Sequence, residues 1–365
     1  MGSCHDQTGF MQKLAVPLVI ACLLAGCSVV GPTTIRSGRL AYNEAITDTN
    51  NQQLLKMVVY NRYGEQGNLL AVSSVTANVS VRTSSALQFG FGDADNYAGN
   101  LVPLTAGSTY EENPTISYIP VAGEKYTRQL MSPLSINLLA LFAGTLTDPS
   151  SIYTALIANI NGIHNPDFLF SPSEADPRFT RVVTIMTALT QGQCLHWIEE
   201  PHDHSFSIVI DDYAPAYTVE VRELLDLLGL PAPKDSSTRL ILPVSLALHG
   251  RENGGIGIIT RSVFDLGEIL SAAIELPEHE KNNGVAITYP PPGLAGKNLR
   301  IRYSRDKPKH AYISVEYRDG WFYIDESDQD TKGFFRLMST LWSVTIAENT
   351  NMGTAAPVLT VPVSR

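Results

Sequence analysis

The chain has 365 residues, of which 44% are hydrophobic and 17% charged, and carries a formal net charge of -10. That balance is globular and excludes a disordered chain, while the acidic excess excludes nucleic-acid binding and adhesion to anionic lipid, both of which need a basic face. Beyond the N-terminal apolar run, about 340 residues imply one large domain or two smaller ones.

The apolar run from Leu14 to Ala25 is shorter than the roughly 20 residues that span a bilayer, and has the length of a signal-peptide core. Lys13 supplies the basic residue expected before such a core, whereas "MGSCHDQTGF" does not fit a signal, so translation is expected to begin at Met11. Residues 1–26 are then expected to be removed. Immediately after the run stands "LAGC", Leu24 to Cys27, which resembles the bacterial lipobox. The resemblance implies that Cys27 is diacylated and becomes the first mature residue. "VIAC", ending at Cys22, also fits the pattern, although cutting there leaves two exposed leucines and a shorter core. An ordinary secretory signal or an uncleaved anchor is the remaining alternative. Two or three acyl chains, at roughly 0.8 kcal/mol per buried methylene, anchor a protein firmly. Ser28 rather than Asp follows the cysteine, which points to the outer membrane with the body in the periplasm. Beyond the signal only Cys27 and Cys194 remain. No internal disulfide is expected, and Cys194 reads as a small buried hydrophobe.

Further along, "GPTTIRSG" (31–38) has the composition of a short tether, so residues 27–38 are taken as a lipidated linker. From Arg39 to about Tyr63 there is no Gly or Pro, and Leu40, Ile46, Leu54, Leu55 and Val58 recur near helical spacing, which predicts one long helix. Its polar middle, "TDTNNQQ", is either a solvated face or a stripe buried between protomers. "SSVTANVSVR" (73–82) switches to strict alternation, the pattern of a half-exposed strand, and the Gly- and aromatic-rich "ALQFGFGDADNYAGNLVPL" with "NPTISYIPV" gives two or three more, with loops. After Gly123 the chain turns helical, with a break at Pro133, Asp148 as an N-cap before Pro149, and "FTRVVTIMTALTQ" as a further helix. The final third alternates strands and helices, from "FSIVID" to "TKGFFRLMSTLWSVTIA". The expected fold is α+β: a long N-terminal helix, antiparallel strands, a helical middle, then strand-helix units forming a helix-covered sheet. A division into residues 39–192 and a C-terminal α/β domain, 193–365, is expected.

Several blocks, "GRLAYNEAITDTNNQQLLKMVVYNRY", "PTISYIPVAGEKYTRQLMSPLS" and "AYISVEYRDGWFYIDESDQDTKGFFRLMSTL", resemble a group of uncharacterised bacterial outer-membrane lipoproteins. The resemblance covers most of the chain after the signal and implies no activity, substrate or catalytic residue. It implies lipidation at Cys27 and nothing more specific.

Candidate sites are sparse. "CLHWIEEPHDHS" concentrates metal-capable groups, with His196, His202 and His204 the candidates, but Pro201 interrupts it and no standard ligand spacing is met. "DESDQD" (325–330) lacks the glycine and the final glutamate of a calcium loop, and its acids suit a helix N-terminus instead. Trp321, Phe322 and Tyr323 alternate on a strand, with Phe322 facing away from its neighbours. "HGRENGGIGIITRS" (249–262) is a Gly-rich stretch before a helix, with Arg251 and Glu252 as candidate ligand-binding residues and Ser262 with Asp265 as a capping box. No motif of a P-loop, a dinucleotide site, a nucleophile elbow or a zinc protease is present.

No cofactor, no metal and no nucleic-acid partner are expected. The leading expectation is a lipid-anchored, non-enzymatic binding or assembly component of an outer-membrane complex, attached to the membrane by its lipid and partnered by an envelope protein or by its own copies. One alternative is a periplasmic hydrolase of glycan or peptide, with a pocket that unites distant polar groups and a raised carboxylate pKa. Another is a subunit in which residues 70–121 supply strands to an oligomeric assembly.

Overall fold

The computed structural model describes residues 30–67, 69–76, 79–86, 105–112, 115–121, 124–145, 148–165, 176–213, 215–232, 239–247, 254–281, 283–351 and 359–362. By contacts the chain divides into two units, Met1–Gln52 and Gln53–Arg365.

The described part of the first unit is helical and belongs to α1, Val30–Arg62. The stretch expected to be a tether, 31–38, lies inside this helix; Pro32 falls in the first turn, where a missing N–H costs nothing. Leu40 is exposed, as are residues 47–50 of the polar middle, and Thr49 Oγ1 donates to the Ala45 carbonyl.

The second unit is an α+β body with a single hydrophobic cluster running from Leu54 to Trp342. The C-terminal turns of α1 supply Leu54, Leu55, Val58 and Val59 to it. After α1 come four strands, β1 (Leu69–Thr76), β2 (Val79–Ala86), β3 (Thr105–Glu112) and β4 (Thr115–Val121). β1 pairs antiparallel with β4, and β2 with β3. The register that ends at Thr76 opposite Thr115 resumes unshifted at Val79 opposite Glu112, three residues on and three back. A bulge between Val72 and Ser74 is the one interruption of the β1–β4 register. The two ladders thus share one register, β2–β3 standing as a two-stranded sheet of its own. β14 (Leu359–Pro362) adds a third strand on β4.

The helical middle comprises α2 (Glu124–Met131) and α3 (Ile136–Thr145), broken around Pro133, then α4 (Pro149–Leu156). Asp148 caps α4 by accepting from Ser150 N at 3.1 Å. Among the described residues no helix is long and apolar enough to cross a membrane.

A six-stranded sheet forms the centre, in the order β6 (Ile163–His164), β5 (Ile157–Ile160), β10 (Ile256–Thr260), β9 (Leu240–Leu246), β8 (Phe206–Ile210) and β7 (Leu195–Glu199). Its pairs are antiparallel except β9–β10. Because β5 and β6 join strands from beyond residue 193, the expected boundary at 192 does not separate two bodies. Two stretches take another form than expected. The run after Asp148 leaves the helix at Leu156 and continues as β5, where β-branched Ile157 and Ile160 favour a strand. The Gly-rich stretch 249–262 contains β10, the strand between β5 and β9 and buried at nearly every residue. Along β9, Leu242 and Val244 enter the core while Ile241 on the other face stays 59% exposed.

Helices α5 (Pro177–Gln191), α6 (Thr218–Leu228) and α7 (Val263–Ala272) complete this layer. α5 begins on an Asp176 cap with Pro177, and α6 ends on Gly229 at φ 68°, where glycine is free of Cβ strain. The Ser262–Asp265 capping box starts α7 as expected. A second sheet, β11 (Arg302–Ser304), β13 (Gly320–Asp325) and β12 (Ala311–Tyr317), carries α8 (Gln329–Asn351) after it. Burial alternates along β13, with Phe322 and Ile324 inside and Trp321 and Tyr323 half-buried. The acids of "DESDQD" serve the start of α8: Asp328 accepts from Thr331 N at 3.0 Å and from its hydroxyl at 2.8 Å.

Candidate functional site

Two polar clusters surround the C-terminal end of α1. In the first, buried Glu268 on α7 accepts from the Asn61 side chain and, at 2.6 Å, from the Tyr289 hydroxyl. Burial pushes the Glu268 carboxyl up from its ordinary range, and these two bonds oppose the shift. The Arg62 guanidinium lies 5.0 Å from the Tyr289 ring centroid, with Nε and Nη1 buried and without hydrogen-bond partners. Burial lowers its pKa, and the aromatic face supplies the compensating attraction.

In the second cluster the two-residue turn between β12 and β13 presents Arg318 at φ 50°. Its guanidinium lies 4.3 Å from the Tyr63 ring and 5.3 Å from the Tyr317 ring. It pairs with Glu65 at 3.4 Å and with Glu280 at 3.5 Å. The Tyr63 hydroxyl donates to Glu280, and Tyr63, Tyr317, Phe322 and Tyr303 form a chain of contacting rings. Burial first, then the bond to Glu280, raises the Tyr63 pKa; burial pushes Tyr317 up to about 12. Both phenols are neutral at physiological pH. These groups fasten α1 to the second sheet, and their charges are spent on one another.

The concavity lies elsewhere. A half-open groove of about 460 Å³ runs between the start of α4, the loop 294–299 and the first half of α8. Phe142, Ile152, Leu299, Phe334 and Leu337 make an apolar floor, and Asp148, Asn298, Asp330 and Arg336 stand on the polar rim. The Asp148 carboxylate is committed to Ser150 N and the Ser151 hydroxyl. Neither Asp330 nor Arg336 has an ion pair or side-chain hydrogen bond with the described residues. Glu268, the carboxyl raised by burial, does not line this groove. The two features expected together in a hydrolase, a pocket and a raised carboxyl, are thus held apart.

The histidine-rich stretch does not converge. His196 on β7 faces Asp211 at 3.8 Å, and Asp211 also pairs with Arg239 at 3.3 Å. His204, in the turn before β8, bonds Glu199 at 2.7 Å, while His202 is exposed in the same turn. Among the described residues no three His, Cys, Asp or Glu side chains could hold one metal ion. Cys194 is buried, its thiol donating to the Gly192 carbonyl at 3.2 Å. Cys27, Arg251 and Glu252 lie outside the described residues.

Sequence reasoning missed the groove, because its floor comes mostly from helix residues indistinguishable in pattern from core, and its walls are more than 140 residues apart in the chain (Asp148 and Leu294). It also missed Arg318, whose role depends on partners at 65 and 280. Comparison of the chain with protein-family models, with curated proteins and with solved structures finds no match.

Proposed function

We propose that this protein is a lipid-anchored structural component of the bacterial cell envelope, non-enzymatic, which assembles with its own copies through the ribbon β1–β4. The observation that carries the reading is that ribbon: β2 and β3 pair with each other, and neither has a further strand on its outer edge among the described residues. Unpaired N–H and C=O groups along such edges are templates for another chain. A two-stranded unit with two open edges repeats around a ring or along a row, each copy using both.

The sequence pattern agrees. Val75, Val79 and Val81 occupy one set of alternate positions, opposite Ile116, Glu112 and Tyr110; Thr76, Ser80 and Arg82 occupy the other, opposite Thr115, Glu111 and Thr109. The first set is mainly apolar and the second polar, as in a sheet with one covered and one wet face. Attachment to the outer membrane rests on "LAGC" and Ser28, with Cys27 the lipidated residue and the body in the periplasm. Anchoring would confine the copies to one plane, which favours edge pairing at low abundance.

The test is cross-linking in intact envelopes followed by mass spectrometry, with wild type beside Cys27→Ala. Self-cross-links within residues 79–112 that weaken when the lipid is lost support the proposal. Their absence, with a monomer in mild detergent, contradicts it. The hydrolase reading has less support, since the carboxyl raised by burial, Glu268, does not line the groove.

A further inference from the structure

From the rim and floor of the groove between α4 and α8 we infer a binding site for a short apolar peptide with free ends, about three residues long. The inference stands on different residues from the ribbon and survives or fails independently of it.

Size comes first. A volume of about 460 Å³ lies within the range of small-ligand pockets, roughly 300 to 1,000 Å³, and is too small for a folded partner. The floor of Phe142, Ile152, Leu299, Phe334 and Leu337 accepts apolar side chains and offers them no hydrogen bonds through its own.

Charge comes second. Asp330 and Arg336 both line the groove, and neither is neutralised by a side chain among the described residues. A solvated pair of opposite charges, both lining one groove of mixed apolar and polar character, is complementary to a ligand carrying an ammonium at one end and a carboxylate at the other. Arg336 can hold a carboxylate with two parallel N–H donors. Asp330 can accept from an ammonium, and Asp148, another lining residue, adds negative charge to the groove.

Spacing sets the length. Asp330 and Arg336 are six residues apart on α8, so about 9 Å of helical rise separates them. An extended peptide advances about 3.3 to 3.6 Å per residue, so three residues span that separation, whereas a single amino acid reaches one charge or the other. The peptide lies along α8 with its N-terminus at Asp330 and its C-terminus at Arg336.

The experiment is titration calorimetry on the full chain in mild detergent, with leucyl-phenylalanyl-leucine as the probe, and with its N-acetylated and C-amidated forms. The free peptide is expected to bind, and blocking either end to weaken it about tenfold, the loss expected for one charged hydrogen bond. Arg336→Ala should bind the free and the amidated peptide alike, and Asp330→Asn the free and the acetylated peptide alike. Both residues are on the surface of a folded helix, and the blocked peptides test the same contacts with the protein unaltered. Absence of binding at millimolar peptide, or equal binding of free and blocked forms, overturns the inference.

Discussion

Arg261 ties the central sheet to the end of α4 and the residue after β6. It is 1% exposed, and its Nη1 donates to the carbonyls of Thr154 at 2.8 Å and Ala155 at 2.9 Å, its Nη2 to that of Asn165 at 2.9 Å. Thr154 and Ala155 lie in the last turn of α4, where carbonyls lack intrahelical partners, and Asn165 follows β6. A cation at a helix C-terminus is also favoured by the helix dipole. Arg261→Met keeps much of the volume but removes these donors, leaving the Thr154 carbonyl only the bond from Asn165 Nδ2 at 2.8 Å, so a loss of about 3 kcal/mol or more in urea unfolding is expected. A loss below about 1 kcal/mol would mean that other donors reach them. Sequence reading recognised the neighbouring cap at Ser262 but not this role, because a cap is local and Arg261 acts on residues more than 90 positions earlier.

Glu268 makes a prediction in pH. Its folded-state pKa is raised by burial, so the fold holds the protonated form more readily than the unfolded chain does. That contribution is fully present below the ordinary carboxylate pKa of about 4.3 and is lost as pH rises through the higher folded value. Glu268→Gln mimics the protonated group. Its melting temperature relative to wild type should therefore climb as pH rises from acid to neutral, and equal offsets at both ends of that range would contradict the assignment.

Among the elements, capping signals were the most legible. Asp148, Ser262 with Asp265, and the acids before α8 all act where local sequence predicts, since a cap needs only a side chain and the N–H two or three residues on. Strands β5 and β10 were less legible. Each is short, mostly apolar and buried on both faces, so it carries no clear alternation, and a run of that length does not distinguish strand from helix. The Asn161–Gly162 turn after β5, with φ 48° and 82°, was the signal available, since Asn-Gly marks a tight hairpin. The β12–β13 hairpin was legible by alternation, yet its tightest contact was not: a Cβ on Gly320 would collide with the Tyr303 ring. Gly320→Ala should cost about 1 to 3 kcal/mol in unfolding, and much less when Tyr303 is already Ala. An equal cost in both backgrounds would place the strain elsewhere.

For the whole molecule, the class was readable from the succession of patterns: long helix, alternating strands, helical middle, strand-helix units. The domain division was not. A six-stranded sheet that draws β5 and β6 from before residue 165 and β7 to β10 from after 194 depends on long-range pairing that no local composition shift announces. The ribbon was legible as alternation in 73–82, but its length appears only from the shared register of the two ladders. That ribbon is the basis for reading the protein as a self-assembling envelope component. The most direct measurement is the size of the full chain extracted from membranes in mild detergent, wild type beside Val81→Pro, which removes an N–H from β2 and cannot sit in the interior of a paired sheet. The account predicts a multimer for the wild type that dissociates in the variant while the body stays folded. A wild-type monomer, or a multimer indifferent to the proline, would contradict it.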